Sequence, residues 1–111
     1  MTVVYSARLI LISSLSSITD LLTCPDGYVT VINTVDWTTG VNAGQAWASL
    51  VHVSTGARFA AVQTAVEGST DYFSQTIEGR WVFSAGEVIA GETDGVSEWD
   101  CFASGYLLTL P

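Results

Sequence analysis

Apolar and polar residues alternate with a period close to two along most of this chain, and this periodicity restricts it to β-structure. The runs consist of residue types that favour pleated sheets, namely Val, Ile, Thr, Trp, Tyr and Phe. Turn residues separate the runs roughly every eight to twelve positions, and no segment has a convincing amphipathic helical pattern. The sequence predicts an all-β fold over residues 1–111: a single antiparallel β-sandwich domain, jelly-roll-like, with about eight strands.

The same pattern assigns individual strands. VVYSARLILIS predicts a long first strand, and the turn residues Pro25–Gly27 precede a strand that extends to Trp37. Strict alternation divides the side chains of that strand between two faces, with Val29, Val31, Val35 and Trp37 on one and Thr30 and Thr34 on the other. After a loop at 38–45, the turn Ser54–Gly56 joins two apolar runs, 46–53 and 57–66, into a hairpin. The rest predicts, in chain order, an edge strand at 68–77, a strand at 80–83, a turn at 84–86, a strand at 87–90 and a last strand at 96–110.

The charge balance excludes several classes of partner. Eleven acidic residues stand against three arginines and no lysine, which gives a formal net charge of -8 at pH 7. Nucleic-acid phosphates and anionic membrane surfaces repel such a chain. Because 49% of the residues are apolar and only 13% are charged, we expect part of the surface to be buried against other copies of the chain.

The apolar stretch near the N terminus predicts neither a membrane anchor nor a signal peptide. The run from Leu9 to Thr19 contains four serines, whereas a membrane-spanning helix needs about 20 apolar residues. No small-residue cleavage site follows it cleanly. Cys24 and Cys101 lie far apart without a CxxC motif, which predicts two buried thiols, with a disulfide between the two ends of the domain as the alternative.

The sequence shows no catalytic constellation. The single histidine, His52, lies in an apolar run without a neighbouring carboxylate, and no serine occupies a Gly-x-Ser-x-Gly motif. The segment ETDGVSEWD offers Glu92, Asp94 and Glu98 as calcium ligands, but it does not match the calcium loop of EF-hands, so it predicts a solvated acidic loop. We therefore expect no enzyme activity, no cofactor and no metal.

Aromatic residues and one arginine remain as interface candidates. Core packing accounts for most of the four tryptophans, and Trp37, beside a Thr-Thr-Gly segment, is the one expected near a surface or interface. Arg80 lies between a glycine and a tryptophan at the head of a strand. We expect it to pair with a carboxylate across the sheet or across a subunit boundary.

Four segments carry a resemblance that spans nearly the full length: YSARLI, CPDGYVTVINTV, GRWVFSAGEVI and SGYLLT. They resemble a family of short virion structural proteins of tailed bacteriophages, especially those that infect actinobacteria. The family's third motif is matched by Gly79, Arg80, Val82, Phe83, Gly86 and Glu87, and its last by Ser104, Gly105, Tyr106 and Leu107. In VTVINTVDW the arginine of the family's second motif is missing.

The resemblance implies a non-enzymatic particle component, made in the host cytoplasm and present in symmetric copies on the virion, with a minor tail protein favoured over a capsid decoration protein. A homo-trimer that contacts other virion proteins is expected by analogy with other jelly-roll subunits. The structural or interface candidates are Arg8, Trp37, Arg80, Gly86, Glu87 and Tyr106. Two alternatives are a carbohydrate- or receptor-binding module for a host-surface glycan and a small hydrolase that uses the acidic loop.

Overall fold

The computed structural model describes residues 3–15, 18–40, 46–63, 72–94 and 98–109. These residues form eight strands and no helix. The strands are β1 (Val3–Leu15), β2 (Thr19–Thr23), β3 (Tyr28–Gly40), β4 (Trp47–His52), β5 (Ala57–Gln63), β6 (Tyr72–Phe83), β7 (Val88–Thr93) and β8 (Trp99–Thr109).

The strands form two four-stranded sheets in which neighbouring strands are antiparallel. Sheet A has the strand order β1-β8-β3-β6, and sheet B has the order β2-β7-β4-β5. The chain passes from one sheet to the other at every connection except the β4–β5 hairpin. This order is that of a jelly roll, in which two Greek keys wind into a sandwich. The predicted fold class is confirmed.

The predicted faces of β3 are wrong in its first half, because a bulge interrupts the alternation. In the pairing with β8 the register shifts between Ile32 and Thr34, so Asn33 is an extra residue on β3. One extra residue moves all the side chains before it to the other face of the sheet. The β3 residues that point between the sheets are therefore Thr30, Ile32, Val35 and Trp37.

Several strand boundaries differ from the sequence pattern. The sequence did not predict β2, whose segment TDLLT does not alternate clearly. The predicted edge strand and the strand from Arg80 are one strand, β6, in which the register shifts opposite Asn33. The alanine-rich run from Ala57 is a strand, as predicted. Parts of five predicted segments, 41–45, 64–66, 68–71, 96–97 and 110, lie outside the described residues.

Two tryptophans occupy the centre of the core. Trp37 and Trp99 are both fully buried, and their rings meet edge to face with centroids 5.9 Å apart. Trp37 Nε1 donates a hydrogen bond of 2.8 Å to the carbonyl oxygen of Ala60, which joins the two sheets. The prediction that Trp37 lies near a surface or interface is wrong. The Thr-Thr-Gly segment beside it continues β3 to Gly40, so Trp37 belongs to the strand interior.

Both cysteines are buried free thiols, as predicted. Cys24 accepts a 3.0 Å hydrogen bond from Thr30 Oγ1 in a turn at one end of the sandwich. Burial, together with the charge of Asp36, raises the pKa of Cys101 to about 12. A thiol with so high a pKa is almost never a thiolate at neutral pH, so Cys101 is a packing residue.

Candidate functional site

An open pocket of about 340 Å³ lies where β4 and β5 pair. We call it the Trp47 pocket; the residues that line it are Trp47, Ala48, Ser49, Arg58, Ala61, Val62 and Gln63. The neighbours of Ser49 in sequence, Ala48 and Leu50, belong to the core, so Trp47 and Ser49 point to the outer face of sheet B. Because ligand pockets typically measure about 300–1,000 Å³, this one has room for a single small ring.

Arg58 is held over the pocket by two contacts. Its Nε and Nη2 atoms donate hydrogen bonds of 3.0 and 3.1 Å to the two carboxylate oxygens of Glu92 on β7. Its Cζ atom lies 5.5 Å from the ring centroid of Trp47, within the range of a cation–π contact. The hydrogen bonds raise the pKa of Arg58 and lower the pKa of Glu92. The pair is therefore ionised at neutral pH, and its charges cancel locally.

Ser49 lies beneath this ion pair. It is only 1% exposed, it is paired with Glu92 in the β4–β7 register, and it lies opposite the bulge of β5. Its hydroxyl has no hydrogen-bond partner within the described part of the chain. A buried polar group without a partner destabilises a protein by about 1–3 kcal/mol. A ligand that bonds to this hydroxyl would remove that penalty.

A second polar cluster surrounds His52 at the end of the β4–β5 hairpin. Its Nε2 atom contacts the carboxylate of Glu87, and its Nδ1 atom lies 2.9 Å from Thr55 Oγ1. A hydroxyl on one ring nitrogen and a carboxylate on the other is the order found in catalytic triads. Here, however, Thr55 Oγ1 also accepts a 3.3 Å hydrogen bond from the backbone of Ala57 within the same turn. We therefore interpret the cluster as a structural link between the β4–β5 turn and the β6–β7 turn.

Glu87 makes most of the hydrogen bonds in this link. Its Oε1 atom accepts a 2.6 Å hydrogen bond from the backbone N–H of Ser84, and its backbone carbonyl accepts one of 2.9 Å from Cys24. The Ser84 bond is the main cause of the lowered pKa of the Glu87 carboxyl, and His52 contributes further. The carboxylate thus connects the β4–β5 turn to the β6–β7 turn.

Replacing Glu87 with glutamine should remove a pH-dependent part of the stability. The folded-state pKa lies below the ordinary value of 4.5, so the stabilisation by the carboxylate is present above pH 4.5 and is lost as the pH falls through the folded pKa. We expect the free energy of unfolding of wild type to exceed that of Glu87→Gln near neutral pH and to converge with it in acid. Urea unfolding over a pH series measures this difference; a constant gap at every pH would contradict the assignment.

The structure brings only some of the predicted interface candidates into defined contacts. Gly86 occupies the β6–β7 turn with a φ of +83°, a left-handed conformation that glycine adopts without strain. Tyr106 is partly buried on β8 opposite Val31. Arg8 pairs with Ser104 in the β1–β8 register, and its side chain lies outside the described part of the chain.

Arg80 lacks the expected partner within its own sheet. It is exposed, and it makes no ion pair with any residue that the structure describes. The irregularity in β6 places it opposite Asn33 and not opposite a carboxylate. Within the described ranges Arg80 has no carboxylate partner across the sheet, and pairing across a subunit boundary stays a prediction.

The three acidic residues considered as calcium ligands, Glu92, Asp94 and Glu98, have separate surroundings. The Glu92 carboxylate binds Arg58, the Asp94 backbone N–H donates to Trp47, and Glu98 is exposed. Residues 95–97 lie outside the described ranges. In those ranges, no group of three or more His, Cys, Asp or Glu side chains is placed to hold a metal ion.

Neither Ser49 nor Arg58 is among the site residues that the sequence predicts. The position of Arg58 near Ser49 follows from the sequence, because the turn at Ser54–Gly56 is predicted and the turn fixes the register of the hairpin. That register places Arg58 opposite Val51, two residues from Ser49. The position of Glu92 could not be derived in this way, because β4 and β7 are distant in the sequence.

No protein-family model matches the sequence, and no match is found among curated proteins. In the described ranges, no helix is long and apolar enough to cross a membrane. Any function assigned to the chain therefore rests on its own residues and geometry.

Proposed function

We propose that this chain is a non-enzymatic structural subunit of a tailed-phage virion, assembled in symmetric copies on the particle exterior as a minor tail protein. The four sequence segments that resemble phage virion proteins support this proposal. The jelly-roll sandwich is compatible with it, since this fold is common in particle subunits. A capsid decoration protein is the second possibility under the same proposal.

The main structural support for the proposal is the edge of sheet A that β6 forms. Within the described part of the chain, β6 pairs only with β3, so its other edge presents unpaired backbone groups along twelve residues. Val82 on this strand is 54% exposed. A long exposed edge with apolar side chains favours pairing with another chain. In a subunit that assembles, this edge is a natural contact surface.

Arg80 fits the same surface. It lies on the exposed edge strand and has no acidic partner among the described residues of its own chain. Eleven acidic residues are present in every copy, so a neighbouring subunit can supply a carboxylate. We propose that Arg80 forms an ion pair across the subunit boundary of a trimer.

Substituting Arg80 with alanine should weaken assembly without unfolding the domain. We expect wild type to be a trimer by native mass spectrometry and sedimentation, and the concentration at half-dissociation to rise at least about tenfold in Arg80→Ala, because the carboxylate of the neighbour loses its partner. The matched control is Arg58→Ala, which removes the same side chain from an ion pair within the chain. Its assembly should equal that of wild type.

Two outcomes of this experiment would contradict the proposal. A wild-type protein that stays monomeric at high concentration would remove the assembly role of the β6 edge. Equal dissociation of Arg80→Ala and wild type would show that Arg80 lies outside the contact. Thermal unfolding of each variant, measured in the same buffer, separates loss of assembly from loss of folding.

A further inference from the structure

The Trp47 pocket contains polar groups whose hydrogen-bonding capacity is not used. Ser49 is 1% exposed and lines the pocket, and its hydroxyl has no partner in the described residues. A hydroxyl in this position destabilises the fold unless something binds to it. The Ser49 oxygen has less than 1 Å² of accessible surface, so it acts as a donor and an acceptor for a ligand when the side chains around it shift.

Arg58 adds further donors at the mouth of the pocket. Two of its nitrogens, Nε and Nη2, donate to Glu92, and the Nη1 hydrogens have no partner among the described residues. Its side chain is 59% exposed, so a ligand can reach it. The charge of the Glu92 carboxylate balances that of the guanidinium. Arg58 therefore offers hydrogen-bond donors to a ligand without a net positive charge at the pocket.

The charges argue against an anionic ligand and in favour of a neutral one. The whole chain carries a formal charge of -8, and the single cation of the pocket is already paired with a carboxylate. The other outward-facing side chains at the pocket are Trp47, Ala61 and Gln63, since Ala48 and Val62 point into the core. A ligand that matches these walls is uncharged, has an apolar face, and carries several hydroxyl groups.

We propose that the Trp47 pocket binds a neutral monosaccharide ring. Trp47 and Ala61 contact the apolar C–H face of the ring. Ser49 hydrogen-bonds to one ring hydroxyl, and the free hydrogens of Arg58 donate to others. The volume of about 340 Å³ accommodates one ring rather than a long oligosaccharide buried along its length. This binding function is separate from assembly, because the pocket is on sheet B whereas the proposed assembly edge is on sheet A.

The test is a titration of the whole chain followed by NMR. The four tryptophan indole N–H signals report separately on the four rings, and Trp47→Phe assigns the signal of Trp47. The probes are glucose, galactose and N-acetylglucosamine; sorbitol, which has hydroxyls but no ring, and sulfate, which is an anion, serve as ligand controls. We expect at least one sugar to shift the Trp47 signal saturably, with a Kd of about 1 mM or tighter, and neither control to do so.

Substitutions at the polar groups connect the signal to the pocket. Ser49→Ala should weaken the sugar about tenfold, as expected for loss of one hydrogen bond, and should raise the unfolding temperature of the sugar-free protein because an unpaired hydroxyl is removed. Arg58→Ala, at an exposed position, provides a second folded variant with weakened binding. No saturable shift with any of the three sugars, equal affinity in both variants, or the same shift with sulfate would each overturn the proposal.

Discussion

Replacing Gly105 with alanine should destabilise the protein by more than about 3 kcal/mol, enough to unfold many small domains. A Cβ atom at this position would overlap the backbone carbonyl oxygen of Val31 and approach the Cα atom of Ile32 to 3.0 Å. The crowding lies beside the bulge at Asn33, where the register between β3 and β8 shifts directly after the Ile32–Gly105 pair. Backbone atoms on both strands would have to move, so the clash cannot be relieved by a rotamer change.

Gly79→Ala is the matched control for Gly105→Ala. A Cβ atom at Gly79 would also be too close to its surroundings, with the nearest atoms 2.7 Å away, but these belong to the side chain of Trp81. The Trp81 side chain is only partly buried and can rotate. We expect Gly79→Ala to cost about 1 kcal/mol in urea unfolding experiments. If Gly105→Ala were as stable as Gly79→Ala, the close approach of β3 and β8 would be wrong.

Replacing Trp37 with phenylalanine should cost about 2–4 kcal/mol of unfolding free energy, since it leaves a cavity and an unpaired carbonyl group. The indole N–H of Trp37 is the donor to Ala60, whose φ of +50° belongs to a bulge in β5. Losing the donor leaves that carbonyl oxygen buried without this partner and weakens the connection between the sheets. Chemical denaturation followed by circular dichroism measures the loss.

Trp99→Phe is a close control, because Trp99 is as fully buried as Trp37 and packs against it. The Nε1 atom of Trp99 has no hydrogen-bond partner among the described residues, so phenylalanine removes an unpaired donor there. We expect Trp37→Phe to be less stable than Trp99→Phe by about 1–3 kcal/mol, the cost of one buried unpaired group. A difference near zero, or a less stable Trp99→Phe, would contradict this role of the Trp37 hydrogen bond.

Most of the strands and the fold class could be predicted from the sequence because they depend on local signals. Period-two alternation and turn residues such as Pro25–Gly27 and Ser54–Gly56 mark strands and hairpins wherever they occur. The bulge at Asn33 has no comparable local signal, since an extra residue is defined only by the strand opposite. The failure to predict it led directly to the wrong faces for the first half of β3.

The candidate sites were harder to predict because they combine distant segments. Arg58 meets Glu92 through the β4–β7 pairing, and His52 meets Glu87 across 35 residues of chain. Neither contact is visible in the spacing of the sequence. The error for Trp37 has the same origin: the Ala60 carbonyl that accepts its hydrogen bond belongs to the opposite sheet.

Antibody labelling of purified phage particles that carry the gene for this chain tests the proposed function most directly. Gold-labelled antibodies raised against the folded domain, with serum absorbed by the same protein as the control, show by electron microscopy where the chain lies. The proposal predicts label on the tail; label over the head would make the chain a capsid decoration protein of the same virion. Particles without label, from preparations in which the antibodies recognise the isolated native protein, would contradict a role as a virion subunit.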